Sequence, residues 1–284
     1  MSEIHPIIAR PEVTRRILRR FKLHASHKLG QNFLIDPEIV DEIARISEIE
    51  PGESILEIGA GIGTLTQGLL ESGGSVTAIE IDKKLIPVLD ETLNGYENFR
   101  LIHGDVLKLD LREIMQNQSF KVISNLPYYI TTPILLALLE QKLPITKIVA
   151  MVQREVAERM IAIPNPKNPK IYGALSVAVQ FFTEPRIVLE VPPGSFLPPP
   201  EVDSRVVVCD VRKSPPVEIL SEQKFFQIVR ASFSQRRKTI LNSLIAAGFD
   251  RVSAEKNFAE IGIDPTRRGE TFSLDEFAKI SNAF

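Results

Sequence analysis

Short apolar runs rich in β-branched residues alternate with amphipathic stretches along the first half of the chain. The runs predict strands at residues 54–58, 75–81, 99–103, 121–124 and 147–152. Between them, helices are predicted at residues 65–72, 83–93 and 133–141. Strands that alternate with helices form βαβ units, and these strands are apolar on both faces. The pattern therefore predicts a parallel sheet with helices on both sides.

The pattern changes further along the chain. Residues 163–171 and 192–200 are rich in proline and predict loops. Further strands are predicted at residues 175–182, 186–191 and 202–211. Beyond Val217 apolar residues recur at helical spacing, which predicts helices at 223–246, 254–261 and 274–283. The fold class predicted is α/β, a Rossmann-like sheet followed by a small all-helical C-terminal domain.

A glycine-rich turn follows the first predicted strand and opens a helix. Its glycines are Gly59, Gly61 and Gly63, and Glu57 precedes them. Glycine lets the backbone turn tightly and lets a ligand approach closely, because it has no Cβ. Dinucleotide-binding turns use the spacing Gly-x-Gly-x-x-Gly and face a pyrophosphate. A carboxylate at this point would repel a phosphate but suits the ammonium group of a methionine moiety. A tight turn without a ligand is the alternative.

Two carboxylates end later strands of the same predicted sheet. Glu80 lies about 20 residues after the turn, where an acid can accept hydrogen bonds from both hydroxyls of a ribose. Asp105 ends the third strand, where it can accept the amine of an adenine. Either acid alone is more often a surface residue. With the glycine turn they outline an adenosine pocket at the carboxyl edge of the sheet, which predicts S-adenosylmethionine as the cofactor.

The segment Asn125-Leu126-Pro127-Tyr128 ends the fourth strand at this edge and indicates an adenine as the methyl acceptor. The exocyclic nitrogen of adenine is a poor nucleophile, because its lone pair is delocalised into the ring. The Asn125 oxygen and a neighbouring backbone carbonyl could accept the two amine protons, and Tyr128 would stack on the flipped base. Catalysis would then depend on positioning and electrostatics. The catalytic candidates are Asn125, Leu126 and Tyr128; a strand end with packed tyrosines is the alternative.

With these motifs the chain resembles the bacterial small-subunit ribosomal RNA adenine N6,N6-dimethyltransferases over nearly its whole length. The matching stretches are 29–34, 57–63, 125–128, 172–177, 192–204 and 236–239. The Asn-Leu-Pro-Tyr and Gly-Gln-Asn-Phe-Leu motifs are specific, whereas the glycine turn is shared with many methyltransferases. The basic segment before Leu29 is longer than the bacterial pattern.

The resemblance implies an enzyme that adds two methyl groups to each of two adjacent adenines in small-subunit (16S) RNA during ribosome biogenesis. It implies that Asn32 and Leu34 close over the cofactor and that Asn125 also lines its pocket. It implies that Phe196, on the proline-rich loop, stacks on the target adenine opposite Tyr128. It further implies that the helical C-terminal domain helps to dock the ribosomal particle, which is the expected substrate.

Positive charge is concentrated in local clusters. The net charge of -2 argues against coating nucleic acid by bulk attraction, so RNA binding has to come from these clusters. The candidates for RNA contact are Arg15, Arg16, Arg19, Arg20, Arg236, Arg237 and Lys238. Arg267-Arg268 forms a third cluster. A solvated helix face is the alternative for each, and the arginine-rich start is also compatible with a transit peptide.

Cysteine and histidine usage excludes several classes of protein. The single cysteine, Cys209, lies in an apolar run, which predicts a buried structural thiol and excludes disulfides and multi-cysteine metal sites. The four histidines lack metal-ligand spacing, so no metal is predicted. No apolar stretch is long enough to span a bilayer, and residues 1–8 lack the order of a secretory signal. We expect a cytoplasmic monomer without a membrane partner.

Taken along the chain, these features predict three segments. They are a basic N-terminal arm over 1–28, a methyltransferase domain over 29–212 and a helical RNA- and ribosome-docking domain over 213–284. Three other functions stay open: methylation of large-subunit RNA as in resistance methyltransferases, a non-enzymatic ribosome-assembly factor, and a nicotinamide-dependent dehydrogenase. The glycine spacing disfavours the last, and the intact Asn125 and Tyr128 disfavour the second.

Overall fold

The computed structural model describes residues 6–26, 29–165, 167–235 and 237–284. By its internal contacts the chain forms two compact units. The first comprises Met1–Ala157 and Arg186–Val211, and the second comprises Glu158–Pro185 and Arg212–Phe284. The segment Glu158–Pro185 therefore groups with the C-terminal helices, whereas the boundaries at 28/29 and 212/213 stay a prediction.

The first unit is built on a large, mainly parallel sheet. The strands of the chain are β1 (Phe33–Leu34), β2 (Ser54–Ile58), β3 (Ser75–Glu80), β4 (Phe99–His103), β5 (Phe120–Asn125), β6 (Ile145–Gln153), β7 (Thr183–Val191), β8 (Phe196–Leu197) and β9 (Ser204–Val211). The large sheet has the order β4-β3-β2-β5-β6-β9-β7, and β1 pairs separately with β8. Strands β2 to β6 pair in parallel, whereas β9 is antiparallel to β6. All five strands predicted for the alternating region are present.

Helix α1 precedes the strands of this unit, and further helices alternate with them. The helices are α1 (Pro11–Arg20), α2 (Pro37–Ser47), α3 (Thr64–Glu71), α4 (Ile86–Thr92), α5 (Leu111–Ile114), α6 (Thr131–Glu140) and α7 (Arg154–Ile161), whose last residues belong to the second unit. Helix α4 begins late because Pro87 lies in its first turn, where a missing N–H costs no hydrogen bond. Successive residues of β2 and β5 are buried, as expected of a sheet covered on both faces.

The start of the described chain packs on this unit through a buried glutamine. Gln67 Oε1 accepts the N–H of Ile8 at 2.8 Å, and its Nε2 donates to the carbonyl of Pro6 at 3.2 Å. The Thr14 hydroxyl donates to the carbonyl of Ile8 at 2.7 Å, which ties the same segment to α1. Ile8 is buried in the core, so α1 is held in place while its arginines are exposed.

The second unit is helical around an aromatic cluster. Its helices are α8 (Ala174–Phe182), α9 (Glu222–Ser234), α10 (Ile240–Ala246), α11 (Arg251–Glu260) and α12 (Leu274–Ala283). Phe181 stacks on Phe225 with ring centroids 4.9 Å apart, and Phe226 meets Phe181 edge-on at 5.1 Å. These rings supply much of the apolar surface that a small helical unit needs to bury.

Two predictions for this unit are wrong. Residues 175–182 form helix α8 and not a strand, because this run is apolar on every side and short, which periodicity cannot assign. The Ser176 hydroxyl accepts the N–H of Gly173 at 3.1 Å and so caps the helix start. The single helix predicted over 223–246 is divided into α9 and α10, because Thr239 caps a new helix by accepting the N–H of Asn242.

Candidate active site

The candidate site lies at the carboxyl ends of β2 and β5. Strand β2 has β3 on one side and β5 on the other, so the strand order reverses at this point. Open α/β sheets bind ligands at such a switch point. A cleft opens here, and loop 29–34, the glycine turn, the ends of β3 and β4, and residues 125–130 line it.

The cleft brings together all of the predicted catalytic and cofactor-binding residues except one. Those that line it are Asn32, Leu34, Glu57, Gly59, Gly61, Glu80, Asp105, Asn125, Leu126 and Tyr128. Phe196 is not among the lining residues. It is 2 % exposed and belongs to the hydrophobic core, where β8 places it opposite Leu34 of β1. Its role in stacking stays a prediction.

The glycine turn has a backbone that other residues rarely adopt. Gly59 has φ +80° and Gly61 has φ +63°, both in the left-handed region. A Cβ on Gly59 would lie 3.2 Å from Cγ of Pro127, so a side chain would also press against the Asn-Leu-Pro-Tyr segment. The bare backbone thus forms one wall of the cleft.

The two carboxylates predicted for an adenosine are both present at this edge. Glu80 is 4 % exposed; its Oε2 accepts the N–H of Gly61 at 3.0 Å and its Oε1 that of Asp82 at 2.8 Å. Burial raises the pKa of Glu80, and these backbone hydrogen bonds oppose the rise. Asp105 Oδ1 accepts the N–H of Leu107 at 3.1 Å, and its Oδ2 lies 3.3 Å from Lys108 Nζ. A carboxylate oxygen can accept more than one hydrogen bond, so both acids can still take a ligand.

Glu57 is the most buried acid of the cleft. It is 1 % exposed, and within the described part of the chain its Oε2 has no hydrogen-bond partner. Burial raises the pKa of Glu57 to about 8; the neighbouring Thr66 hydroxyl opposes the rise, and the charge of Glu80 adds to it. The Thr64 hydroxyl, which also lines the cleft, is likewise buried without a partner among these residues. An ammonium group would supply a partner for this carboxylate, so the site fits the methionine end of S-adenosylmethionine.

We predict that Glu57→Gln weakens the pH dependence of stability in the cofactor-free protein. The folded pKa is raised, so from the ordinary value of 4.5 up to about 8 the folded protein keeps a proton that the unfolded chain has lost. The free energy of unfolding of the wild type therefore falls as the pH rises through this window. Urea unfolding across the window measures the effect. The exposed Glu97→Gln is the control, and parallel curves for wild type and Glu57→Gln would contradict the prediction.

The end of β5 presents an unpaired amide oxygen to the cleft. Asn125 Oδ1 is buried, and none of the described residues forms a hydrogen bond with it. The Ser124 hydroxyl donates to the carbonyl of Ile58 at 2.6 Å, which fixes the ends of β5 and β2 side by side. The Tyr128 hydroxyl lies 2.6 Å from Ser204 Oγ, so the ring is held by its polar end. Burial raises the pKa of Tyr128, which keeps this hydroxyl protonated.

Gln31 and Tyr129 are among the lining residues that the sequence pattern does not assign to the site. Gln31 forms a hydrogen bond to Asp82 from inside the motif that contributes Asn32 and Leu34. Tyr129 is 44 % exposed beside Gly30. The doubled tyrosine and the motif around Gln31 were the available signals, but neither says which side chain faces which.

The basic clusters differ in what surrounds them. Arg15, Arg16, Arg19 and Arg20 are exposed on α1, and Arg20 lies 2.7 Å from Glu91. Arg237 and Lys238 are exposed, and Arg236 lies outside the described residues. The third cluster is different, because Arg267 forms two hydrogen bonds with Glu276 and lies 4.1 Å above the ring of Phe272. Arg267 therefore has a structural role.

The described residues form neither a metal site nor a membrane-spanning helix. Among the described residues, no group of three or more His, Cys, Asp or Glu side chains could hold a metal ion. No helix in the same part of the chain is long and apolar enough to cross a membrane.

The sheet order with one antiparallel strand, together with the acid-lined cleft, defines the class as an S-adenosylmethionine-dependent methyltransferase. The profile of one family, described as ribosomal RNA adenine dimethylase, matches residues 22–284. The chain belongs to this family.

Similar proteins agree with this assignment. The ribosomal RNA small subunit methyltransferase A of Moorella thermoacetica is 48 % identical over 283 residues, which cover 96 % of this chain and 97 % of the relative. A dimethyladenosine transferase from Plasmodium falciparum superposes with a TM-score of 0.71 at 26 % identity, covering 87 % of this chain and 95 % of that one. The 23S rRNA methyltransferase ErmE gives a TM-score of 0.65 at 25 % identity, covering 89 % and 99 %. The predictions of family, fold class and cofactor are confirmed.

Proposed function

We propose that this protein transfers methyl groups from S-adenosylmethionine to the N6 amines of two adjacent adenines in small-subunit ribosomal RNA. The observation that carries the proposal is the buried Oδ1 of Asn125 in the cofactor cleft, which forms no hydrogen bond with any described residue and lies close in sequence to the anchored ring of Tyr128. The near full-length similarity to a small-subunit methyltransferase supports this substrate over large-subunit RNA.

We assign the cofactor to one side of the cleft and the adenine to the other. When bound, S-adenosylmethionine supplies an electrophilic methyl group. Glu57 faces an ammonium, and Glu80 and Asp105 hold an adenosine. Asn32 and Leu34 cover the site, and Gly59 and Gly61 allow close approach.

On the adenine side, Asn125 Oδ1 and the Leu126 carbonyl accept hydrogen bonds from the two N–H groups of the amine, which directs the nitrogen lone pair at the methyl group. The nitrogen loses one proton to water as the methyl group is attached. Tyr128 holds the base by stacking. Phe196 is buried opposite Leu34 in the β1–β8 pair, so its ring has to become accessible before it can stack on the other face of the base.

The test of the proposed function is methyl transfer to small-subunit particles that lack adenine dimethylation. Purified protein is incubated with these particles and labelled cofactor, and the RNA is analysed as nucleosides. We expect dimethyladenosine in the small-subunit RNA. Label only in large-subunit RNA would move the function to that substrate, and particle binding without transfer would favour an assembly factor.

We propose that the exposed basic clusters bind RNA phosphates. Replacing Arg15 and Arg16, or Arg237 and Lys238, with glutamine is expected to weaken particle binding. Each lost phosphate contact makes the negative slope of log K against log salt shallower by about 0.7 to 0.9. Binding measured over a series of salt concentrations tests this.

The control for these variants is Arg251→Gln, because Arg251 is exposed but is paired with Glu255 on its own helix. We expect the control to bind particles like the wild type. Affinity for S-adenosylhomocysteine is expected to stay unchanged in every variant, since none of these residues lines the cleft. An unchanged salt slope in both double variants would show that the clusters are solvated helix faces only.

We further propose that the protein works as a monomer in the cytoplasm. Residues 1–28, 29–212 and 213–284 are proposed to serve as basic arm, methyltransferase domain and ribosome-docking domain.

A further inference from the structure

A chain of hydrogen bonds runs along the cofactor side of the cleft from Gly61 to Ser26. Both oxygens of Glu80 accept backbone N–H groups, from Gly61 at 3.0 Å and from Asp82 at 2.8 Å. The side chain of Asp82 continues the chain, because its Oδ2 accepts Gln31 Nε2 at 2.8 Å. Gln31 Oε1 in turn accepts the N–H of Ser26 at 2.8 Å. The side-chain amide of Gln31 thus donates to Asp82, just after β3, and accepts from Ser26, in the segment that precedes its own loop.

This amide lies at one end of loop 29–34, which lines the cleft. At its other end the loop is fixed by the pairing of Leu34 with Phe196. Near Gln31, Gly30 has φ +58°, and the N–H of Gln31 donates to the carbonyl of Ser26 at 3.2 Å. The bond to Asp82 therefore ties the loop to the strand that carries Glu80.

We propose that Gln31 is a positioning residue that sets cofactor affinity by holding loop 29–34 against the end of β3. The inference rests on the proposed function of the cleft as the S-adenosylmethionine site. A loop that is ordered before binding loses less entropy when a ligand enters, so the hydrogen bond between Gln31 and Asp82, called the latch below, favours binding. Because Gln31 acts through the loop and through Asp82, it affects cofactor binding and not the methyl-transfer step.

The donor and acceptor roles in the latch can be exchanged. Gln31→Glu alone places a carboxylate opposite Asp82, and the two like charges repel. Asp82→Asn alone places an amide NH2 group where an oxygen accepts the bond from Gln31 Nε2. If the Gln31 side-chain amide flipped to present its oxygen to this NH2 group, its own NH2 group would face the N–H of Ser26 and that bond would be lost. The double variant Gln31→Glu/Asp82→Asn restores the bond with donor and acceptor exchanged and keeps the net charge. The oxygen of residue 82 that accepts the N–H of Lys84 is present in every variant.

The experiment measures the dissociation constant of S-adenosylhomocysteine by calorimetry for wild type, both single variants and the double variant. We expect each single variant to bind about tenfold more weakly, as for a lost hydrogen bond to a charged group, and the double variant to recover most of the loss. At saturating cofactor the kcat and the KM for particles are expected to match the wild type. The exposed Gln118→Glu is the charge-matched control, and thermal unfolding without ligand shows whether each variant folds.

The possible outcomes separate this inference from the proposed function. Single variants that bind S-adenosylhomocysteine like the wild type, or a double variant in which the two losses add, would overturn the latch. If the variants show the expected loss and recovery of S-adenosylhomocysteine binding but the wild type methylates no particle, the proposed substrate is overturned and the role of Gln31 is kept. A wild type that does not bind S-adenosylhomocysteine would overturn both.

Discussion

Replacing Asn125 with alanine is expected to lower the rate of methyl transfer about 10²- to 10³-fold, the loss typical of removing one pre-organised polar group from a reaction centre. The Asn125 oxygen is buried, and no described residue forms a hydrogen bond with it, so it can accept one from an N–H of the adenine amine. Without that acceptor the nitrogen keeps its lone pair delocalised in the ring. Single-turnover transfer at saturating cofactor measures the step directly.

Two further variants make this result interpretable. Asn125→Asp keeps an acceptor oxygen at the same place and is expected to retain more activity than the alanine variant. Asn94→Ala removes an exposed amide outside the cleft and is expected to behave like the wild type. Full activity in Asn125→Ala, with normal thermal unfolding, would show that adenine is activated in another way.

The strands could be predicted because their environment leaves a simple pattern. Strands β2 and β5 are buried on both faces, so their sequences are continuous apolar runs that end at turn residues. Helix α8 has the same kind of sequence, because most of its residues are buried. Its pattern therefore predicts a strand, although the segment is a helix. Only tertiary packing separates the two cases, and a single sequence does not contain it.

The site could be predicted as far as chain order determines it. Parallel strands end at the same edge of a sheet, which places Glu57, Glu80, Asp105 and Asn125 around one cleft. Contacts between distant side chains do not follow from this rule. Three such contacts depend on the folded structure: the bond from Gln31 to Asp82, the burial of Phe196, and the ion pair of Arg267 with Glu276.

A second large effect is expected at Tyr128, whose ring and hydroxyl have separate roles. The hydroxyl is bound to Ser204, which is fully buried, so the hydroxyl orients the ring and is not needed to contact a base. Stacking of a base on an aromatic ring contributes about 1–3 kcal/mol. Tyr128→Ala is therefore expected to lower kcat/KM for particles about 10- to 100-fold, with a smaller change in the affinity for S-adenosylhomocysteine.

The control for Tyr128 keeps the ring and removes the polar pair. Tyr128→Phe alone leaves the Ser204 hydroxyl buried without its partner, which costs stability, whereas Tyr128→Phe with Ser204→Ala removes both groups and is close to neutral. We expect this double variant to methylate particles nearly as well as the wild type. If it lost as much kcat/KM as Tyr128→Ala, the hydroxyl would be the functional group and the base would not be held by stacking on this ring.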